Sequence, residues 1–139
     1  TDFLNTMLKL GRERDNLSVV SDQVGAPTPA RLIAEVTALA IGNLQVSSIP
    51  SGVYHLCSSG ETNWHEFACE IFKCAIEVGI PIIIEPSQVD MITSDQYPTP
   101  ANRPLNSRLL TEKLERTLGI ELPHWKKQLL LTLKERKLQ

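Results

Sequence analysis

Two segments of this chain carry more polar chemistry than a turn requires. The first is Asp22-Gln23-Val24-Gly25-Ala26-Pro27-Thr28, which sets a carboxylate, an amide and a hydroxyl beside a glycine and a proline, just before a predicted helix. A helix N-terminus offers free N–H groups to an anion or to the polar edge of a ligand. Turn chemistry alone accounts for Gly25, Pro27 and Thr28, but it leaves Asp22 and Gln23 unexplained. The second segment is Tyr97-Pro98-Thr99-Pro100-Ala101-Asn102-Arg103-Pro104-Leu105-Asn106-Ser107. An arginine stiffened by flanking prolines loses less entropy when it grips a phosphate with both arms of its fork. Asn106 and Ser107 add donors at the next predicted helix start. The plain alternative for Arg103 is an ion pair with the chain's own acids. The candidate binding residues are therefore Asp22, Gln23, Gly25, Pro27, Thr28, Arg103, Asn106 and Ser107.

Other chemistries find less support. His65 and Cys69 stand at i, i+4 on one helix face, a spacing that can hold zinc. Further ligands would have to come from Cys57 or a distant acid, and no second close pair backs them, so both are read as ordinary helix residues. A serine nucleophile needs a strained elbow such as G-x-S-x-G, and the chain has none. Glu66 and Glu70, with Lys73 and Glu77, read as a solvated helix face rather than an acid pair. A dinucleotide fold announces itself by a glycine-rich turn between a strand and a helix. The glycines at 11, 25, 42, 52, 60, 79 and 119 are too far apart for that turn or for a P-loop. A reductase that uses a Tyr with a Lys four positions later, the cation lowering the phenol pKa, would need Tyr54 or Tyr97 followed by Lys. The residues found there are Ser58 and Ala101.

These segments must be held by elements that the hydrophobic spacing outlines. Phe3, Leu4, Met7 and Leu8 repeat as a helix face, with Arg12 to Asp15 as its charged end. This helix starts almost at residue 1, which suggests a chain cut from a longer one. Leu17–Val20 is a short β-prone run. Thr28 is expected to cap the next helix, with Pro29 in its first turn, a buried stripe of Leu32, Ile33, Val36 and Ala40, and a stop at Gly42-Asn43. Gly52–Cys57 reads as a buried strand. Thr62 is expected to cap the clearest helix, whose stripe is Trp64, Phe67, Ala68, Ile71, Phe72 and Ala75 and whose end is Gly79. Pro81–Glu85 reads as a strand, and Ser87–Pro104 as a long irregular stretch of the kind that often carries function. Ser107 is expected to cap a helix with Leu110, Leu114 and Leu118, stopped by Gly119. Pro123 precedes a last helix built on Trp125, Leu129 and Leu133. Alternating strands and helices make the class α/β or α+β.

With 139 residues, 42% apolar and 22% charged, the chain suits one soluble domain with a real core. A net charge of −2 gives no electrostatic reason for a nucleic-acid or anionic-membrane partner. No apolar run approaches a bilayer span, and no signal peptide is legible at Thr1-Asp2-Phe3-Leu4. Cys57, Cys69 and Cys74 make an odd set without paired short spacings, read as reduced, mostly buried thiols of a cytoplasmic protein.

Taken together, Thr6-Met7-Leu8, the run from Val19 to Thr28, Gly52-Val53-Tyr54-His55-Leu56, Trp64-His65-Glu66-Phe67-Ala68 and the run from Tyr97 to Ser107 resemble dTDP-4-dehydrorhamnose reductases in order and spacing. The resemblance covers Phe3 to about Trp125. It implies an extended short-chain dehydrogenase/reductase that reduces the 4-keto group of dTDP-4-dehydro-L-rhamnose with NADPH or NADH, in the supply of rhamnose for cell-wall polysaccharide. In that family the glycine-rich turn and the Tyr-x-x-x-Lys pair precede the residue matched by Phe3. Residues 1–139 are then the C-terminal substrate-binding portion, with a remnant of the Rossmann-type sheet and without the cofactor-binding part. The helix from Thr28 and the strand Gly52–Cys57 would pack on that missing domain. The first helix, Leu17–Val20 and the region after Thr62 would build the sugar-nucleotide side. Asp22, Gln23 and Thr28 would lie near the substrate cleft and Arg103 near the diphosphate. Some members hold Mg²⁺ between subunits through carboxylates that include one on the helix after Pro-Thr. The matching residue is Arg31, so the metal is not carried over. The chain alone would be inactive, and with its sheet edge bare it would dimerise, swap elements or aggregate. The competing readings are a non-catalytic subunit like the regulatory subunit of methionine adenosyltransferase, and another nucleotide-sugar epimerase or dehydratase.

Overall fold

A computed structural model of the chain describes residues 2–46, 49–97, 99, 101 and 103–137, Val46 by its backbone alone. Among these residues the elements are α1 (Phe3–Glu13), β1 (Leu17–Val20), β2 (Val24–Gly25), α2 (Ala30–Val46), β3 (Thr62–Asn63), α3 (Trp64–Glu77), β4 (Val89–Ile92), α4 (Glu112–Leu118) and α5 (Trp125–Lys137). The class is mixed α/β, as the sequence indicates. β1 and β4 pair in parallel, Leu17 opposite Val89 and Val20 opposite Ile92. A parallel pair needs a long crossover, and the chain supplies one that contains α2 and α3. β2 and β3 form a two-residue antiparallel rung.

α3 is the hub. Its Ala68, Ile71, Phe72 and Ala75 are fully buried, against Met7 and Leu8 of α1, Leu17 and Val19 of β1, and Trp125, Leu129 and Leu133 of α5. Gly11 lets α1 approach closely, since an added Cβ there would lie 2.7 Å from the Phe72 ring. His65 is buried in the same helix, and its Nε2 meets the Val89 carbonyl at 2.8 Å, tying α3 to β4. A second, smaller cluster joins Leu32 and Val36 of α2 to Leu114 and Leu122.

Several boundaries differ from expectation, each for a local reason. α2 begins at Ala30 with the Pro29 carbonyl accepting from Ile33 N–H, so Thr28 is not its cap. It also runs past Gly42 to Val46, because Gly42 does not adopt the left-handed conformation that ends a helix. Ile33, expected on the buried stripe, is 45% exposed. Gly52–Cys57 is not a strand: no described residue pairs with it, and Val53 is 74% exposed. Asn63, not Thr62, caps α3, its side chain accepting from Glu66 N–H at 2.9 Å. Pro81–Glu85 is not a strand either. Ile83 and Ile84 donate to the Gly11 carbonyl, and the strand that pairs with β1 is β4, inside the stretch expected to be irregular. The helix expected from Ser107 starts only at Glu112, so Leu110 is 71% exposed, while Gly119 ends it in the left-handed conformation as expected. Gly79, also left-handed, follows α3, and α5 buries Trp125, Leu129 and Leu133 as the spacing requires.

Two substitutions test this packing in opposite directions. Phe72→Ala empties the centre of the core and is expected to cost about 3–5 kcal/mol in denaturant unfolding. Gly42→Ala, on a helix surface with nothing within 4 Å of the new Cβ, is expected to stabilise by roughly 0.5–1 kcal/mol.

Candidate functional site

The parallel pair sets the geometry of the first polar loop. Ser21 N–H continues the ladder to the Ile92 carbonyl at 2.9 Å, which places Asp22 and Gln23 beside the 3-10 turn Ser94–Gln96 that follows β4. Asp22 clamps that turn. Its Oδ1 accepts from Ser94 Oγ at 2.6 Å and its Oδ2 from Ser94 N–H at 2.9 Å. The Ser94 hydroxyl, then its N–H, hold the Asp22 carboxyl below the usual carboxylate range. Gln23 is fixed at both ends: Nε2 donates to Ser94 Oγ at 2.8 Å, and Oε1 accepts from Trp64 Nε1 at 3.1 Å.

The second polar loop lies alongside the first. Val24 N–H donates to the Leu105 carbonyl and Ser107 N–H to the Val24 carbonyl, both at 2.8 Å, so residues 105–107 flank β2 on the side away from β3. Gly25 and Ser107 are in van der Waals reach, 3.7 Å from an added Cβ at Gly25. Asn106 turns its oxygen onto Arg108, whose guanidinium also pairs with Glu61 at 2.8 Å. Thr28 joins loop to loop, its hydroxyl donating to the Ala26 carbonyl and accepting from Ser58 N–H at 3.0 Å. Pro98, Pro100 and Asn102 of the motif lie outside the described residues.

An open cavity of about 1070 Å³ lies over the inner face of α1 and the ends of β1 and β4. Phe3, Arg14, Trp64, Tyr97 and Arg103 are on its walls. A smaller one of about 290 Å³ is lined by Val24–Pro27, Asn63, Phe67 and Ser107. Gln23, Trp64 and Arg103 line both. Of the residues singled out in the sequence, Gln23 and Arg103 thus face both cavities, and Gly25, Pro27 and Ser107 face the smaller. Asp22, Thr28 and Asn106 face neither; their polar atoms hold the loops. Sequence reasoning missed Ser94 and Trp64. Trp64 reads as one more apolar residue of an amphipathic helix, and nothing in the spacing separates it from Phe67.

The lining suits a ligand with a flat ring and an anionic group. Phe3 and Trp64 form an aromatic pair with ring centroids 4.7 Å apart, and Arg14 and Arg103 bring positive charge to the same cavity. The described lining also includes the Asp95 carboxylate and the Tyr97 phenol in the larger cavity. The thiols are poor nucleophiles: burial pushes Cys57 and Cys69 up, and burial with the nearby Glu70 and Glu77 charges pushes Cys74 up to about 11. At the position where the resemblance puts a metal carboxylate in some members, this chain has Arg31. Arg31 donates to Gln128 Oε1 at 3.1 Å and pairs with Glu35 at 3.5 Å and Glu135 at 3.6 Å, so a guanidinium stands where a divalent ion would need anionic ligands. The residues do not fit Mg²⁺.

Residues 1–138 match the RmlD substrate binding domain. The chain belongs to this family. Among the RmlD relatives, it is 43% identical over 124 residues to the dTDP-4-dehydrorhamnose reductase of Escherichia coli strain K12, covering 89% of this chain and 41% of that protein. It is 35% identical over 136 residues to the spore coat polysaccharide biosynthesis protein SpsK of Bacillus subtilis, covering 98% and 43%. The crystal structure of a dTDP-4-dehydrorhamnose reductase from Clostridium acetobutylicum superposes with a TM-score of 0.84 at 32% identity, over 99% of this chain and 44% of that one. The Bacillus anthracis reductase, solved in complex with NADP, gives 0.76 at 29% identity, over 97% and 43%. The chain therefore spans about two fifths of the length of the relatives it matches. The family that the five sequence segments resemble is the family found. Among the described residues, no helix is long and apolar enough to cross a membrane.

The Asp22 clamp has a titration signature. A carboxyl held below its ordinary value of 3.8 keeps its stabilising bonds as pH falls through about 4, and loses them only under its own lower midpoint. Carboxyl-carbon NMR is expected to show that midpoint below 3.8 and to show it rising in Ser94→Ala. An unmoved midpoint would refute the clamp.

Proposed function

We propose that this RmlD-family chain is the nucleotide-sugar-binding part of an NAD(P)H-dependent dTDP-4-dehydrorhamnose reductase, which converts dTDP-4-dehydro-L-rhamnose to dTDP-L-rhamnose. The observation that carries the reading is the convergence of the two loop motifs. They are far apart in sequence, yet Gln23 from one and Arg103 from the other line the same pair of cavities. Arg103 is the cation for the diphosphate, as a guanidinium fork matches phosphate oxygens. The polar backbone of 24–27 and Ser107 orient the sugar in the smaller cavity. The reacting carbonyl is then positioned by groups that do not themselves transfer protons.

The dinucleotide and the Tyr-x-x-x-Lys pair belong in this proposal to a separate cofactor-binding part of the same enzyme. The chain's own glycines are too widely spaced to cradle a pyrophosphate, so no hydride step is assigned to its residues. Two features support a large covered surface. α2 exposes Ile33, Leu39, Ile41 and Leu44, and the extended Gly52–Cys57 segment has no strand partner among the described residues. A parallel sheet and its helix from the cofactor-binding part would satisfy both. As a separate object the chain is expected to bind dTDP yet to turn over no substrate with NADPH.

The test is kinetic. In the chain joined to a cofactor-binding part, Arg103→Ala should raise KM for the dTDP-sugar by roughly ten- to a hundredfold, the worth of a charge-assisted phosphate bond, with kcat little changed. An unchanged KM removes Arg103 from the site. Absence of any reduction of the 4-keto sugar by the joined wild type removes the proposal.

A further inference from the structure

Ser94 lies outside both sequence motifs, yet three hydrogen bonds meet on it. Its hydroxyl donates to Asp22 Oδ1 at 2.6 Å and accepts from Gln23 Nε2 at 2.8 Å, and its N–H donates to Asp22 Oδ2 at 2.9 Å. The hydroxyl has one proton to give. With that proton committed to a carboxylate, which only accepts, the oxygen must take the Gln23 amide N–H. This fixes the Gln23 side chain with its oxygen facing the other way, onto Trp64 Nε1 at 3.1 Å. The direction of each bond therefore follows from the charge on Asp22. The chain of bonds ends on the indole, which lines both cavities and meets the Phe3 ring at a tilt of 49°. From the other side, Ser94 begins the turn whose last N–H bond, Tyr97 N–H to the Ser94 carbonyl at 3.2 Å, brings Tyr97 to the rim of the larger cavity.

We infer that Ser94 is a positioning residue for the nucleotide half of the ligand: through Gln23 it fixes the Trp64 indole as a flat wall against which a pyrimidine base stacks, and through its turn it sets Tyr97 at the same cavity. The inference rests on the proposed nucleotide-sugar reading and adds the seat of the base to it. An indole free to rotate about its side-chain bonds would have to be ordered on each binding event. One already tied to Gln23 spares the ligand that entropic cost. Ser94 itself lines the larger cavity, but its hydroxyl is committed to Asp22 and Gln23, so it acts through Trp64 and its contribution belongs in affinity and not in the reaction step.

The experiment has a ligand-free arm and a ligand arm, both on the full chain, with dTDP as the probe. In NMR the Trp64 indole N–H, assigned with Trp64→Phe, should exchange with solvent more slowly in wild type than in Ser94→Ala, and Ser94→Thr should restore the slow exchange. By calorimetry, Ser94→Ala should weaken dTDP binding about five- to tenfold, with Ser94→Thr close to wild type. In a Trp64→Phe background Ser94→Ala should cost little further affinity, because both act on one wall. A destabilised but folded Ser94→Ala would not produce that non-additivity. Unchanged indole exchange overturns the inference, as does unchanged dTDP affinity or full additivity. If wild type binds no dTDP at all, the nucleotide-sugar reading itself falls, a result seen before any substitution is made.

Discussion

The site depends on the parallel pairing of Leu17–Val20 with Val89–Ile92. Two short parallel strands have little stability alone and must be covered to persist. α3 provides the cover with Ala68, Ile71, Phe72 and Ala75, and α1 is drawn in by the close approach at Gly11. His65 adds a polar tie by meeting the Val89 carbonyl from the helix. Register follows from this packing, since a one-residue slip would turn Leu17, Val19 and Val89 away from the core. With the register set, the residues just beyond the two strand ends are neighbours. That is how Asp22 and Gln23 come to face Ser94 across some seventy positions of chain.

The polar residues of the site divide by what they do. Asp22, Thr28 and Asn106 spend their polar atoms on the protein and line neither cavity, Gln23 bonds Ser94 and Trp64 yet lines both, and Arg103 lines both. A rigid frame of buried or half-buried hydrogen bonds beneath a few exposed groups is what a binding site needs to avoid ordering itself on each encounter. Arg31 shows the same economy elsewhere, its guanidinium joining α2 to α5 through Gln128 and Glu135.

Much of the fold was legible in the residues. α1, α3 and α5 follow from apolar spacing, because each buries one face against the same core, and β1 follows from its β-branched run. β4 was not legible. Val89-Asp90-Met91-Ile92 has no clear alternation, and Asp90 and Met91 are exposed, so only pairing with β1 makes it a strand. The reverse holds for Pro81–Glu85 and Gly52–Cys57, which have strand-like composition and no ladder partner among the described residues. Capping residues misled for a similar reason. Thr28 and Ser107 look like caps, yet the Thr28 hydroxyl bonds Ala26 and the distant Ser58, and Ser107 bonds Val24 through its backbone N–H, partners that the local sequence does not reveal.

By itself the sequence determined the family and the mixed α/β class, and it singled out the two polar loops. Those depend on residue types in a fixed order, such as Asp-Gln before Gly-x-Pro-Thr and an arginine among prolines. It also shows no glycine-rich turn of the dinucleotide type, since glycine spacing is a property of the chain alone. Only the tertiary structure decided which loop residues line the cavities and which hold the frame. That choice turns on distances between segments brought together by the β1–β4 register. Ser94 and Trp64 become part of the site through partners far from them in sequence, and no local pattern records such partners.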